Sequence, residues 1–136
     1  MHEVTASRFV RAPLRVVRRA LTPEAIIEYE GSFEVRGVEQ TEDGPVVVAG
    51  TSRFQFALRF DALDDGLYYE QAGEAGPFDA MATTVTVASK NEGSRVTMRS
   101  SVSLGLPLSS VTDRVAAWKR RGELQRALDA LAADVE

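Results

Sequence analysis

Residues 79–104, DAMATTVTVASKNEGSRVTMRSSVSL, carry the pattern on which the fold turns. Two runs of alternating side chains flank Asn91-Glu92-Gly93, and Asn and Gly tolerate the positive φ that a tight two-residue connection needs. With Asn91-Glu92 as the loop, Val87 faces Val96, Val85 faces Met98, Thr83 faces Ser100, Met81 faces Val102 and Asp79 faces Leu104. One face of this antiparallel pair is therefore apolar near the turn. It becomes polar at Thr83 and Ser100, with a carboxylate near its far end. Two small hydroxyls in mid-sheet either leave volume unfilled, as a pocket requires, or bond to each other as cross-strand pairs do.

The same punctuation organises the rest of the chain. Glu42-Asp43-Gly44-Pro45 separates a strand over Phe33–Glu39 from one over Val46–Thr51, and Asp64-Asp65-Gly66 separates Phe54–Leu63 from Leu67–Ala72. The hairpin around residues 91–93 joins Asp79–Ser89 to Arg95–Leu104. Strands joined so closely must be antiparallel, because parallel pairs need long crossovers. Phe54, Phe56, Leu58 and Phe60 share one face of their strand, while Gln55, Arg59 and Asp61 share the other, so one face is buried and one wet.

Before these strands comes another, Glu3–Val10, with Val4, Ala6 and Phe9 as inward candidates. Pro13 then opens a helix over Leu14–Leu21, in which Leu14, Val17 and Leu21 oppose Arg15, Arg18 and Arg19. Thr22 caps a second short helix begun by Pro23, and Gly31 ends it. A long helix, Pro107–Val135, closes the chain. Its apolar stripe reads Val111, Val115, Trp118, Leu124, Leu128, Leu131 and Val135. This order predicts an α+β architecture: a curved seven-stranded antiparallel sheet wrapped around the C-terminal helix, with two short helices after the first strand and a pocket between sheet and helix.

Composition narrows the chemistry. The 136 residues are one domain's worth, residues 1–136, and are 44% hydrophobic, enough for a core without staples. With no cysteine, thiolate metal sites, disulfides and cysteine nucleophiles are excluded. His2 is the only histidine and lies beside a terminus, which argues against histidine triads and clustered-histidine metal sites. No metal and no cofactor is expected. A net charge of −4 argues against nucleic acid as a partner, and no apolar run reaches a membrane span. A soluble cytoplasmic protein is the default expectation.

The chain resembles a known group. Its opening strand, the Ala12-Pro13-x-x-Val16 helix start, the six further strands and the closing helix are similar to the helix-grip fold of the START/Bet v 1-like (SRPBCC) superfamily, of the polyketide cyclase/dehydrase and lipid transport type. Gly76-Pro77-Phe78 before a long strand, and the Gly-Ser-Arg-Val turn at Gly93–Val96, fit the same pattern. Arg18 departs from it, standing where many members carry a tryptophan. The resemblance implies a cavity for an apolar or amphipathic small molecule and no shared catalytic set. It also places Tyr29 and Ile26 at the cavity mouth, since the two short helices normally close one end of this fold.

Candidate ligand contacts are Tyr29, Phe56, Tyr69, Asp79, Met81, Thr83, Ser100 and Trp118. Asp79 is the catalytic candidate, because a desolvated carboxylate on the inner face would act as general acid or base; a solvated turn residue is the alternative. Tyr68 and Tyr69 compete for one inward position. A two-residue turn at Asp65-Gly66 turns Tyr69 inward, and a three-residue turn selects Tyr68. Trp118 reads as core or as cavity wall. Gly122 lies one turn beyond it, where a side chain would press into the sheet; a kink, or room for a ligand beside the indole, would compensate for the cost of Gly in a helix. Arg15, Arg18 and Arg19, like Arg114, Lys119, Arg120, Arg121 and Arg126 with their neighbours Asp113, Glu123 and Asp129, read as solvated, salt-bridged surface.

Three functions fit this pattern. The first is binding, by carriage or sequestration, of an apolar ligand. The second is cyclase, dehydratase or aromatase chemistry with Asp79 and a tyrosine as the acid–base pair. The third is a protein-interaction module such as a chaperone activator.

Overall fold

The computed structural model describes residues 2–73, 75–104 and 109–136, the side chains of 109–112 excepted. The chain runs through β1 (His2–Val10), α1 (Leu14–Ala20), α2 (Pro23–Glu30), β2 (Glu34–Thr41), β3 (Gly44–Gly50), β4 (Gln55–Leu63), β5 (Gly66–Ala72), β6 (Ala80–Lys90), β7 (Gly93–Ser103) and α3 (Ser109–Val135). Among the described residues, seven strands form one antiparallel sheet in the order β1-β7-β6-β5-β4-β3-β2. Every neighbour in that order follows the other directly in the chain except β1 and β7, the first and last strands. This is the expected helix-grip arrangement. The proposed start of the last helix at Pro107 lies outside the described residues.

Local chemistry accounts for the boundaries. Thr22 caps α2 by accepting the Ala25 N–H at 3.1 Å, with Pro23 in the first turn. Gly31 closes α2 in the left-handed conformation, φ 76°, its N–H donating to the Ile27 carbonyl at 3.3 Å. In the last hairpin Lys90 pairs with Gly93, so Asn91-Glu92 is the loop and Asn91 takes a positive φ of 55°. The register then places Val87 opposite Val96, Val85 opposite Met98, Thr83 opposite Ser100 and Met81 opposite Val102.

Two expectations are corrected. The β4–β5 turn is Asp64-Asp65, with Leu63 opposite Gly66, rather than Asp65-Gly66. The shift is by an even number of residues, so Tyr69 still faces inward opposite Phe60. In β1 the inward series is Val4, Ala6, Arg8 and Val10, so Val10 takes the place proposed for Phe9. Alternation admits one parity only.

The core fills the concave side of the sheet. Phe60, Val85, Val96, Met98 and Val102 are fully buried from the strands, Leu124, Leu128 and Leu131 from α3, and Val17 and Ile26 from the short helices. Polar ties hold the end of α3 in place. Arg8 Nη1 donates to Asp129 Oδ1 at 2.7 Å, and the Arg11 N–H donates to Glu136 Oε2 at 3.0 Å.

Gly66 is required by close approach. A Cβ there would lie 1.7 Å from the Val85 carbonyl oxygen on the neighbouring strand. Gly66→Ala is expected to lower unfolding free energy by about 1–3 kcal/mol through overpacking. A urea denaturation midpoint equal to the parent's would show that β5 and β6 have room to separate.

Candidate functional site

The inner face of α3 is not uniformly apolar. Among its described side chains the buried ones are Asp113, Ala116, Ala117, Arg120, Glu123, Leu124, Ala127, Leu128, Leu131 and Ala132, spaced by helical steps of three and four. Val115 and Trp118 instead point away from the sheet, 62% and 78% exposed. The expected stripe through Val115 and Trp118 is therefore overturned. From Trp118 to Leu124 that stripe needs a jump of six residues, which no single helical face makes. Carrying Leu131, Leu128 and Leu124 backward by helical steps leads to Arg120, and the structure follows that line. The solvated-surface expectation fails for Arg120, Glu123 and Asp113, while Arg15, Arg18, Arg19, Arg114, Lys119, Arg121 and Arg126 are exposed.

Arg120 is only 3% exposed and reaches the middle of the sheet. Its Nε donates to Ser100 Oγ at 3.0 Å. Nη2 donates to Tyr69 Oη and to Thr83 Oγ1, each at 2.9 Å. Nη1 donates to Glu123 Oε1 at 3.2 Å and to Glu30 Oε1, at the C-terminal end of α2. The Tyr69 hydroxyl in turn donates to Glu30 Oε2, and the Ser32 hydroxyl donates to Glu123 Oε2. Arg126 Nε donates to the Glu30 carbonyl at 2.5 Å. Thr83 and Ser100 also bond to each other at 2.8 Å. The volume above these two hydroxyls is thus taken by the guanidinium, and the pair serves as its seat.

Electrostatics explain why the charge survives burial. Desolvation opposes the guanidinium, yet Glu30, with support from Tyr69 and Glu123, holds its pKa above the ordinary arginine value. Burial, followed by the Glu30 carboxylate, raises the Tyr69 phenol above its ordinary value. Tyr69 is therefore a protonated donor throughout the physiological range. Its ring stacks on Phe60 with centroids 4.8 Å apart and lies 5.9 Å from the Arg120 guanidinium carbon.

Beside this cluster is a small chamber of about 20 Å³. Glu30, Tyr69, Arg120 and Glu123 form its polar wall; Ile27, Phe33, Phe56, Leu58, Met81 and the Pro77-Phe78 pair form the apolar one. A second hollow of about 220 Å³ lies outside it, shares Phe33, Pro77, Phe78 and Glu123 as walls, and extends past Leu104, Val115, Ala116 and Lys119. Phe33 and Phe78 bring aromatic rings to the shared wall, and Phe33 meets Phe56 of the inner chamber edge to face, centroids 4.8 Å apart.

The structure brings Phe56, Tyr69 and Met81 together on the chamber wall and sets Thr83 and Ser100 one layer behind it. Other sequence candidates stand apart. Asp79 is exposed ahead of β6, its N–H donating to the Ser103 carbonyl at 2.7 Å, and β6–β7 pairing ends at Ala80 and Ser103. Tyr29 turns to the end of α3 and donates to Asp134 Oδ2 at 2.6 Å. Its pKa is pushed up to about 12 by burial and that carboxylate. Tyr68 lies on the outer face, donating to Glu70 Oε2 at 2.7 Å. Gly122 faces open space: a methyl group added there would meet nothing within 4 Å, so neither a kink nor a ligand is needed to explain it. Sequence reasoning missed Arg120, Glu30 and Glu123, although the backward extension of the leucine stripe pointed to Arg120.

A family model described as polyketide cyclase/dehydrase and lipid transport matches residues 1–136. The chain belongs to that family. A START superfamily protein from Mycobacterium smegmatis superposes with a TM-score of 0.76 at 12% identity, covering 99% of this chain and 97% of that one. XoxI from Bacillus cereus gives 0.75 at 14%, covering 99% and 96%. Ara h 8.0201 gives 0.61 at 13%, covering 97% and 98%. At such identities the likeness speaks for the fold alone. No curated protein matches the sequence. Among the described residues, no helix is long and apolar enough to cross a membrane, and no group of three or more His, Cys, Asp or Glu is placed to hold a metal ion.

Two substitutions test this geometry. Arg120→Met would strand Glu30 and Glu123 as buried charges, an expected loss of about 3–5 kcal/mol in unfolding free energy. Adding Glu30→Gln should recover part of that loss, whereas a deeper loss in the double variant would contradict the charge-stranding argument. Gly122→Ala on the open helix face should raise stability by about 1 kcal/mol, and a lower thermal midpoint would mean the outer face is packed after all.

Proposed function

We propose that this protein binds an apolar or amphipathic small molecule between the sheet and α3, with the ligand's polar end at the chamber and its apolar part in the adjoining groove. One observation carries the reading: a hydrogen-bonded charged cluster forms one wall of a chamber otherwise walled by apolar side chains, and an outer hollow adjoins it. Few, fixed polar groups at one end of an apolar cavity are what orient a ligand in a binding site. At about 20 Å³ the chamber admits one water-sized group, so a larger ligand enters by displacing Phe33, Pro77 or Phe78.

The family description couples cyclase and dehydrase chemistry with lipid transport. Carriage is the better fit here because the acid–base candidate, Asp79, stands exposed and does not line the chamber. The polar groups that do line it are all engaged with one another.

Titration with N-phenyl-1-naphthylamine, a neutral apolar fluorophore, tests the reading. One saturable site per chain is expected. Ala116→Trp, which fills the outer groove, should weaken it about tenfold, or ~1.4 kcal/mol, with an unchanged far-ultraviolet circular dichroism spectrum. Absence of saturable binding to the parent protein, or binding indifferent to Ala116→Trp, would remove the sheet–helix space as the site.

A further inference from the structure

Among the described residues, the polar wall of the chamber has no donor left to offer. Arg120 directs all five of its N–H groups to Ser100, Thr83, Tyr69, Glu30 and Glu123. The Tyr69 proton goes to Glu30 and the Ser32 proton to Glu123; behind the wall Thr83 and Ser100 share one hydrogen bond, and Thr83 Oγ1 donates to Met81 Sδ at 3.2 Å. Acceptor capacity remains. A carboxylate offers about four lone-pair sites, and Glu30 and Glu123 each receive two side-chain hydrogen bonds.

The charges point the same way. Two carboxylates, Glu30 and Glu123, meet one guanidinium inside the cluster, which leaves one formal negative charge in excess. Arg126 does not balance it directly, since its guanidinium bonds to the Glu30 carbonyl and to Ser32 Oγ rather than to either carboxylate. Lys119 stands farther out, on the groove, and does not line the inner chamber.

We infer that the chamber selects ligands whose buried end is a hydrogen-bond-donating cation, a primary ammonium above all, on an apolar tail lying in the groove. The inference rests on the ligand-binding reading above and concerns the identity of the ligand's polar end. An ammonium supplies the donors that the wall lacks and offsets its excess charge. The opposite wall holds the aromatic rings of Phe33, Phe56 and Phe78, side chains of the kind that attract a cation. Size fits as well: about 20 Å³ suits a water-sized head, given that one water needs roughly 10–15 Å³. A carboxylate or phosphate head would face like charge with no donor to receive it, a costly burial. A trimethylammonium head is too bulky for the chamber and has no N–H to donate.

The full chain would be titrated with octylammonium, octanol, octanoate and octyltrimethylammonium, each displacing N-phenyl-1-naphthylamine. Octylammonium is expected to bind at least about tenfold more tightly than octanoate or octyltrimethylammonium, with octanol between. Glu123→Gln, which removes the excess charge and adds a donor, should erase most of the gap between octylammonium and octanol. Octanoate binding as tightly as octylammonium would overturn donor selection while leaving apolar-ligand binding intact. Equal binding of octyltrimethylammonium and octylammonium would overturn it too, as attraction of charge without N–H donation. If the fluorophore and all four probes fail to bind, the ligand-binding reading itself falls. Should Glu123→Gln not fold, the four-probe series on the unaltered chain still decides.

Discussion

A guanidinium buried in the middle of a protein must be matched on every side, and the arrangement around Arg120 follows from that need. Removing an ion from water costs several kcal/mol even after the protein relaxes, and attraction to a partner offsets this only when geometry and hydrogen bonding are complete. Here completeness takes five elements or junctions: Glu30 at the end of α2, Tyr69 on β5, Thr83 on β6, Ser100 on β7 and Glu123 on α3 itself. Each contact also constrains position. A rotation of α3 or a slide along the sheet would break several at once, so the helix has one seat rather than a range of apolar ones.

The two halves of α3 divide the work accordingly. Leu124, Leu128 and Leu131 pack against the sheet and the short helices, while Arg8, Arg11 and Tyr29 reach Asp129, Glu136 and Asp134 along its C-terminal turns. Toward the N-terminal half the contacts become small or polar: Ala116, Ala117 and Arg120. Small side chains on the helix and small hydroxyls on the facing strands create the depth that a long arginine occupies. The space left over, between the carboxylates and Phe33, Phe56 and Phe78, is the chamber. Packing and site are consequences of the same substitution of polar for apolar bulk.

Family membership and physical detail bear on different questions. The family match and the structural neighbours concern the architecture, a sheet gripping a helix. They do not concern the chemistry at the bottom of the grip, because function resides in the site and not the fold. At that place Glu30, Arg120 and Glu123 together set the charge and the hydrogen bonding of the chamber wall.

The sequence by itself determined the strand order, the last hairpin's register and two short helices, the second of them capped by Thr22 and Gly31. These rest on local rules: alternation has a period of two, a tight turn needs residues that tolerate positive φ, and Thr-Pro begins a helix while Gly ends it. That is why Thr83 opposite Ser100 was legible without coordinates, whereas the choice between Tyr68 and Tyr69 as the inward tyrosine, and the pairing of Tyr69 with Phe60, waited on the β4–β5 register. Only the tertiary structure decided which face of α3 lies inward. Over residues 115–123 apolar bulk at Val115 and Trp118 competes with Arg120 and Glu123, and local hydrophobicity favours the wrong side. The tie is broken by partners remote in sequence: Glu30 lies 90 residues from Arg120, and Tyr69 lies 51. A buried charge is stable only through such partners, so the leucine stripe carried backward points to Arg120 but does not show what makes its burial stable.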